Sequence, residues 1–152
     1  MDQRINKRSI RFRAAAVFLH EGKILVHAVK NRSDGKMWFI PPGGGINYGE
    51  SSRDALVREI KEELEWEIEV DGFLGVFESF HIINGVEEHE VSFVYAARAT
   101  DRLIRTTAEG EIHEADGPKK FRWIELEILM NPKSFCILKA YWNLWKPINR
   151  RR

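Results

Sequence analysis

Apolar residues follow the pattern of β-strands in several parts of the chain. An apolar run fills most of residues 10–20, and apolar and other residues alternate in residues 23–29. Both segments are predicted to be strands. Residues 68–83 and 86–98 are also strand-like, and Asn84-Gly85 joins them. Because Asn-Gly is the dipeptide most typical of a two-residue hairpin turn, these two strands are predicted to pair.

A helical repeat follows Ser51. Leu56, Ile60 and Leu64 recur at every fourth position, which places them on one stripe of a helix. Ser51 is the predicted N-cap, and Asp54 completes a capping box. A second helical repeat lies near the C-terminus, and its apolar positions are Phe135, Leu138, Tyr141, Trp142 and Trp145. Strands that flank one early helix and precede a late one predict a mixed β-sheet covered by helices.

Length, composition and charge limit the class of protein. The chain has 152 residues, so residues 1–152 are predicted to form a single domain. A net charge of +1 provides no strong field for binding nucleic acid or a membrane surface. The longest apolar run, residues 14–19, is too short to span a bilayer, and the N-terminus has no apolar signal-peptide core. We therefore expect a soluble cytoplasmic protein without membrane or nucleic-acid partners; a homodimer is left open.

A glycine run followed by an acidic helix carries most of the candidate chemistry. Glu59, Glu62 and Glu63 are spaced i, i+3, i+4, which places them on one side of the helix. Gly43 and Gly44 precede the helix, and glycine lets a backbone approach a ligand closely. Carboxylate oxygens suit Mg²⁺, with Mn²⁺ as the alternative ion. The segment therefore predicts a divalent-cation site that can also hold a diphosphate.

The same segment carries a longer motif. The motif reads Gly44, five residues, Glu50, seven residues, Arg58-Glu59-Ile60, one residue, Glu62-Glu63. It resembles the Nudix box, the signature of hydrolases that act on nucleoside diphosphates linked to another moiety. Residues 38–42 and 121–126 resemble the lead-in and the late strand of the same family. One position departs from the family's pattern: Glu65 stands where the family usually has a glycine. Such a glycine is expected to end the helix in a left-handed conformation, so the departure bears on the helix end.

The resemblance implies a Nudix fold, an α/β/α sandwich of α+β type around a mixed sheet. It also implies a Mg²⁺-dependent hydrolase that splits a small-molecule nucleoside diphosphate derivative into a nucleoside monophosphate and a phosphorylated remainder. The implied metal ligands are the Gly43 carbonyl, Glu59, Glu62 and Glu63, with Gly44 in the same binding loop. Arg58 is expected to orient a box glutamate. A carboxylate of the site, with Glu59 and Glu62 as the candidates, is expected to take the proton of the attacking water.

Family members often add a carboxylate from a loop before the late strand. Residues 106–120 are polar and acidic and are predicted to form a mobile loop. The loop's acidic candidates are Glu109, Glu111, Glu114 and Asp116. Glu114 is the preferred candidate and Glu111 the second. Glu90, which follows His89, is a weaker one, and Trp38 is the tryptophan expected to lie near a substrate.

Two other functions compete with hydrolysis of a small nucleotide derivative. The first is a Nudix-fold module that senses a nucleotide without turnover, which the three intact helix glutamates disfavour. The second is an RNA-end pyrophosphohydrolase, which the near-neutral charge disfavours because RNA partners usually need a basic surface. Nucleoside triphosphates, ADP-ribose, other sugar nucleotides and dinucleoside polyphosphates all remain open as substrates.

Overall fold

The computed structural model describes residues 8–101, 109–114, 117–135 and 139. Nine strands and two helices lie within these residues. The strands are β1 (Arg11–His20), β2 (Lys23–Lys30), β3 (Met37–Ile40), β4 (Gly43–Gly45), β5 (Ile68–Ile83), β6 (Val86–Ala99), β7 (Glu109–Glu114), β8 (Gly117–Glu125) and β9 (Ser134–Phe135). The helices are α1 (Ser52–Leu64) and α2 (Leu126–Leu129). No helix in this part of the chain is long and apolar enough to cross a membrane.

The strands form a mixed sheet in two portions that meet at the end of β1. β1 pairs in parallel with β6 and antiparallel with β4. It meets β2 through its last two residues, Leu19 and His20. The first portion therefore contains β5, β6, β1 and β4, and the second contains β2, β3, β7, β8 and β9.

Both faces of β1 are buried, which explains its apolar run. Ala14, Ala16 and Phe18 belong to one core cluster, whereas Ala15 and Val17 belong to another. Members of the first cluster on α1 are Ala55, Leu56, Ile60 and Leu64. Members of the second cluster on the second portion include Ile24, Val26, Phe39 and Ile124. Helix α1 thus covers one face of the first portion, and the second portion covers the other. The predicted mixed sheet with a packed helix, of α+β character, is confirmed.

Helix α1 begins as predicted. Ser51 has an extended backbone, and its hydroxyl accepts a hydrogen bond from the Asp54 amide at 3.1 Å. The helix ends at Glu65, which adopts the left-handed conformation at φ 59° and donates its amide to the Lys61 carbonyl at 3.1 Å. Glu65 thus takes the backbone geometry that the family's glycine is expected to provide. Trp66 follows, and its ring lies in the core against Phe18.

The hairpin predicted at Asn84-Gly85 is confirmed. Ile83 pairs with Val86, and both turn residues have positive φ, 49° for Asn84 and 85° for Gly85. These angles are typical of a type I′ turn, whose twist matches that of the flanking strands. Bulges interrupt the β5–β6 pairing between residues 70 and 75.

The prediction of a mobile loop over residues 106–120 is wrong for much of that range. β7 pairs with β8 from Glu109–Arg122 to Glu114–Gly117. β8 is itself paired with β2, so its other edge offers unsatisfied backbone groups to β7. The register places Glu109 opposite Arg122 and Glu111 opposite Lys120.

The second predicted helix is only partly covered by the described residues. Phe135, predicted to lie in that helix, instead lies in β9 beside Trp38 of β3. A two-residue parallel pairing with an existing strand edge satisfies backbone groups there. The other apolar positions of the predicted helix, Leu138, Tyr141, Trp142 and Trp145, lie outside the described residues.

Candidate active site

The glycine loop between β3 and α1 is held against β1. The Ala16 amide donates to the Pro42 carbonyl at 2.8 Å, and the Ile46 amide donates to the Phe12 carbonyl at 3.0 Å. Between these two contacts, β4 pairs with β1. The loop backbone therefore has a defined position at the edge of the first sheet portion.

Gly43 and Gly44 permit two close approaches that a side chain would block. Gly43 has φ +142°, and a Cβ there would lie 2.1 Å from the Ala14 carbonyl oxygen. A Cβ on Gly44 would lie 2.1 Å from Oε2 of Glu59. The Glu59 carboxylate therefore lies directly against the backbone of the loop, and the structure brings together the glycine run and the acidic helix.

Arg58 connects this loop to three carboxylates. It donates to both carboxylate oxygens of Glu50, from Nε at 2.7 Å and from Nη2 at 2.9 Å. Its Nη1 donates to Glu59 at 2.8 Å and to Glu62 at 3.1 Å, and its Nη2 also donates to the Gly45 carbonyl at 2.9 Å. One guanidinium thus fixes the relative positions of the loop, Glu50 and two helix glutamates.

The hydrogen bonds of Arg58 also shift the pKa values of Glu50 and of Arg58 itself. The guanidinium of Arg58 and the Asn47 amide together lower the pKa of Glu50 from 4.5 to about 2. Hydrogen bonding to Glu50 raises the pKa of Arg58 above its ordinary value, with Glu59 adding to the effect. Glu50 therefore stays ionised and Arg58 stays protonated throughout the physiological range.

The three helix glutamates differ in their exposure. Glu63 is buried, the Glu59 side chain is 15% exposed and the Glu62 side chain is 59% exposed. Within the part of the chain that the structure describes, no three His, Cys, Asp or Glu side chains are already grouped to hold a metal ion. Arg58 contacts one oxygen of each carboxylate, Oε1 of Glu59 and Oε2 of Glu62, so the second oxygen of each is the one that would bind an ion. The donors are all oxygens, and the contact of Glu59 with the Gly44 backbone places a carboxylate beside the loop, so this set fits Mg²⁺ or Mn²⁺.

A family model for the NUDIX domain matches residues 10–144. The chain belongs to the Nudix family. This is a family of hydrolases that act on nucleoside diphosphate derivatives, and the motif from Gly44 to Glu63, which resembles its Nudix box, lies within the matched residues. The assignment makes the chain a Nudix hydrolase by class.

Solved structures of the family are similar to this one. The MutT NUDIX hydrolase from Burkholderia pseudomallei is 27% identical, with 79% of this chain and 86% of that chain covered and a TM-score of 0.52. The MutT protein from Methanosarcina mazei Go1 shares the fold at 18% identity, with 95% and 96% covered and a TM-score of 0.60. A UDP-X diphosphatase shares the fold at 19% identity, with 95% and 65% covered and a TM-score of 0.60.

A further relative matches over a shorter stretch. The low-salt glycan biosynthesis protein Agl8 of Haloferax volcanii is 37% identical over 71 residues. The match covers 47% of this chain and 45% of that relative, so it spans less than half of each protein.

The additional acidic candidates lie in different places around the Nudix box. Glu109, Glu111 and Glu114 lie on β7, which passes close to α1, whereas Asp116 lies outside the described residues. Glu90 is buried, and it accepts a hydrogen bond from the Ser92 hydroxyl at 2.8 Å. The position of β7 beside α1 does not distinguish among these glutamates, and Glu114 as the preferred additional carboxylate stays a prediction.

Trp38 does not offer a surface to a substrate. Its side chain is buried, its Nε1 donates to Asp34 at 3.1 Å, and its ring packs edge-on against His81. A buried ring held in this way offers no open face for stacking on a base, and its distance from a substrate stays a prediction. The strand Met37–Ile40 is entirely apolar, and such a composition is also typical of a strand packed between layers.

Sequence reasoning misses Arg13. Its Nη2 donates to the carbonyls of Pro41 and Gly43, so it contacts the glycine loop directly. The sequence signal is an arginine immediately before the apolar run that begins at Ala14. That signal alone does not distinguish a strand-end charge from a contact with the loop.

Proposed function

We propose that the protein is a Mg²⁺-dependent Nudix hydrolase that cleaves the diphosphate linkage of a nucleoside diphosphate derivative. The products are a nucleoside monophosphate and a phosphorylated remainder. The observation that carries the proposal is the Arg58 network, in which one guanidinium fixes Glu59 and Glu62 beside the glycine loop. If the three helix glutamates formed only a solvent-exposed acidic face, no arginine would be needed to hold two of them against the loop.

The proposed roles follow from the chemistry of each group. The ion would be held by Glu59, Glu62, Glu63 and the Gly43 carbonyl. When bound, it supplies charge neutralisation for the diphosphate and lowers the pKa of a coordinated water. Arg58 orients Glu59 and Glu62, and the burial of Glu63 restricts its rotamers.

The reaction itself is a displacement at phosphorus. The water oxygen forms a bond to one phosphorus, and the bridging oxygen leaves with the other phosphate. Glu59 or Glu62 accepts the proton of the water. The proposal extends to Glu114 as an additional carboxylate, because β7 passes close to α1.

A sugar nucleotide is the substrate class that we propose first. The relative Agl8 is named for glycan biosynthesis, a process that uses activated sugars, and it is 37% identical over its matched part. Nucleoside triphosphates form the second class to test.

A substrate panel tests the proposal. Sugar nucleotides, ADP-ribose, nucleoside triphosphates, dinucleoside polyphosphates and triphosphorylated or capped RNA are incubated with the protein and either Mg²⁺ or Mn²⁺, and the products are identified by mass. The proposal predicts a nucleoside monophosphate from a sugar nucleotide. Binding of a nucleotide without turnover would favour a sensor module, and turnover of RNA ends alone would favour an RNA-end pyrophosphohydrolase.

A further inference from the structure

The Arg13 guanidinium is directed at the backbone of the glycine loop. Its Nη2 donates to the Pro41 carbonyl at 2.7 Å and to the Gly43 carbonyl at 3.1 Å. The Nε atom of this partly buried side chain is itself buried and has no hydrogen-bond partner. Among the described residues, no carboxylate lies within ion-pair distance of Arg13. The side chain therefore makes its direct polar contacts with loop carbonyls.

Placing a guanidinium here has an electrostatic cost. Burial lowers the pKa of Arg13, while the nearby charges of Glu90, Glu63 and Glu59 oppose that shift. Removing a charge from water is unfavourable unless good hydrogen bonds compensate for it. The two hydrogen bonds to carbonyls supply that compensation, so the position of the loop and the charge of Arg13 depend on each other.

With these contacts, three consecutive carbonyls of the glycine loop accept hydrogen bonds from β1. The Pro42 carbonyl accepts from the Ala16 amide at 2.8 Å, so the carbonyls of residues 41, 42 and 43 all accept hydrogen bonds from β1. The first and third of these acceptors share the single Nη2 of Arg13. Without it, both would lose their donor while the middle carbonyl kept its own.

We infer that Arg13 is a positioning residue that holds the Gly43 carbonyl in the orientation needed to bind the metal ion. This inference rests on the proposed function, because it takes the Gly43 carbonyl as a ligand. A carbonyl oxygen has two lone pairs, so one can accept from Arg13 while the other binds an ion. Groups that orient a metal ligand typically contribute about 10–100-fold to metal affinity.

Arg11 provides a matched control. It lies two residues earlier on β1, on the same face of the strand. Its side chain is 56% exposed, and its Nη1 lies 3.9 Å from Glu90. Replacing Arg11 removes the same charge from nearly the same place without removing a donor to the loop.

The test measures binding of Mn²⁺ alone, without nucleotide. Free Mn²⁺ is followed by electron paramagnetic resonance in titrations of wild type, Arg13→Met, Arg13→Lys and Arg11→Met. We expect Arg13→Met to weaken Mn²⁺ binding by about 10–100-fold. Arg11→Met should stay within about 2-fold of wild type, since ion pairs of exposed side chains contribute little and Arg11 donates no hydrogen bond to the loop. Circular dichroism in chelator checks that each variant is folded.

Arg13→Lys decides the question if Arg13→Met does not fold. Its ammonium lies on a stem one bond shorter and lacks the planar fork of a guanidinium, so we expect it to lose one of the two contacts and to bind Mn²⁺ measurably more weakly than Arg11→Met. Folded Arg13 variants that bind Mn²⁺ as tightly as Arg11→Met would overturn the inference. A wild-type protein that binds no Mn²⁺ would overturn this inference and the proposed function together. If the wild-type protein binds Mn²⁺ but hydrolyses no nucleotide, only the proposed function is contradicted.

Discussion

The Glu59 carboxylate occupies the space that a Cβ on Gly44 would need. Such a Cβ would lie 2.1 Å from Glu59 Oε2, far inside van der Waals distance. The nearest atoms all belong to the Glu59 side chain, which can move, and not to the backbone. A methyl group at position 44 would therefore displace the carboxylate and leave the fold in place.

Gly44→Ala is expected to lower turnover with little loss of stability. A displacement of a catalytic group by about 1 Å can lower a rate by about 10²-fold. The control is Gly45→Ala, because a Cβ on Gly45 meets no atom within 4 Å. Steady-state rates and thermal unfolding of both variants check the prediction. Equal rates for Gly44→Ala and Gly45→Ala would show that the position of Glu59 does not limit catalysis.

Glu65→Gly is expected to stabilise the protein by about 1 kcal/mol, since a residue with a Cβ pays a steric penalty in the left-handed conformation that Glu65 adopts at φ 59°. Turnover should stay near that of wild type, because the residue lies beyond the last box glutamate. Glu65→Ala keeps the Cβ and serves as the control for loss of charge. Denaturant unfolding measures the stability. A stabilisation shared by Glu65→Ala would assign the effect to charge and not to backbone strain.

Local sequence patterns were sufficient to predict α1 and the β5–β6 hairpin. Ser51 and Asp54 interact within one helical turn, and Asn84-Gly85 determines its own turn geometry. Each depends on residues close in the chain, so the sequence carries the whole signal. The motif likewise located the glycine loop and the acidic helix, which the structure places in contact through Gly44.

Features that depend on residues far apart in the chain were missed. β7 looks like a polar loop by composition, and it becomes a strand because β8 presents an edge to it. Arg13 lies 28 residues before Pro41, so its contact with that carbonyl has no local pattern. Trp38 precedes the glycine run in sequence, yet its ring points into a packed layer beside His81.

Acid is expected to remove the contribution of Glu50 to stability. Arg58 and the Asn47 amide lower the pKa of Glu50 to about 2, against 4.5 as its ordinary value. A carboxylate with a lowered pKa in the folded state stabilises the fold above its unfolded pKa, and this stabilisation is lost as pH falls through the folded pKa. The difference in unfolding free energy between wild type and Glu50→Gln should therefore be constant above about pH 5 and shrink toward pH 2.

Urea unfolding at a series of pH values measures that difference. Glu21→Gln, which removes a carboxylate that is 82% exposed in the β1–β2 turn, is the control. A difference between wild type and Glu50→Gln that does not change between pH 5 and pH 2 would mean that the ion pair with Arg58 does not form in solution.

Chelation is expected to abolish turnover while leaving the protein folded. Arg58 forms ion pairs with Glu50, Glu59 and Glu62, which offsets part of the repulsion among these carboxylates without an ion. The core clusters on both faces of β1 provide the stability of the fold. Circular dichroism before and after adding EDTA checks this. Cooperative unfolding on chelation would mean that the ion is structural.

The rate of Mg²⁺-dependent hydrolysis by Glu62→Gln tests the proposed site most directly. Glu62 is a proposed metal ligand and catalytic carboxylate, and its side chain is 59% exposed, so Gln at this position should not disturb folding. Glu67→Gln, whose carboxylate is 66% exposed just beyond the helix, is the matched control. The measurement is the initial rate of nucleoside monophosphate release from the best substrate of the panel. We predict a loss of at least about 10²-fold for Glu62→Gln and a rate near that of wild type for Glu67→Gln. Equal rates for wild type and Glu62→Gln would contradict the assignment of the Nudix box carboxylates as the catalytic site.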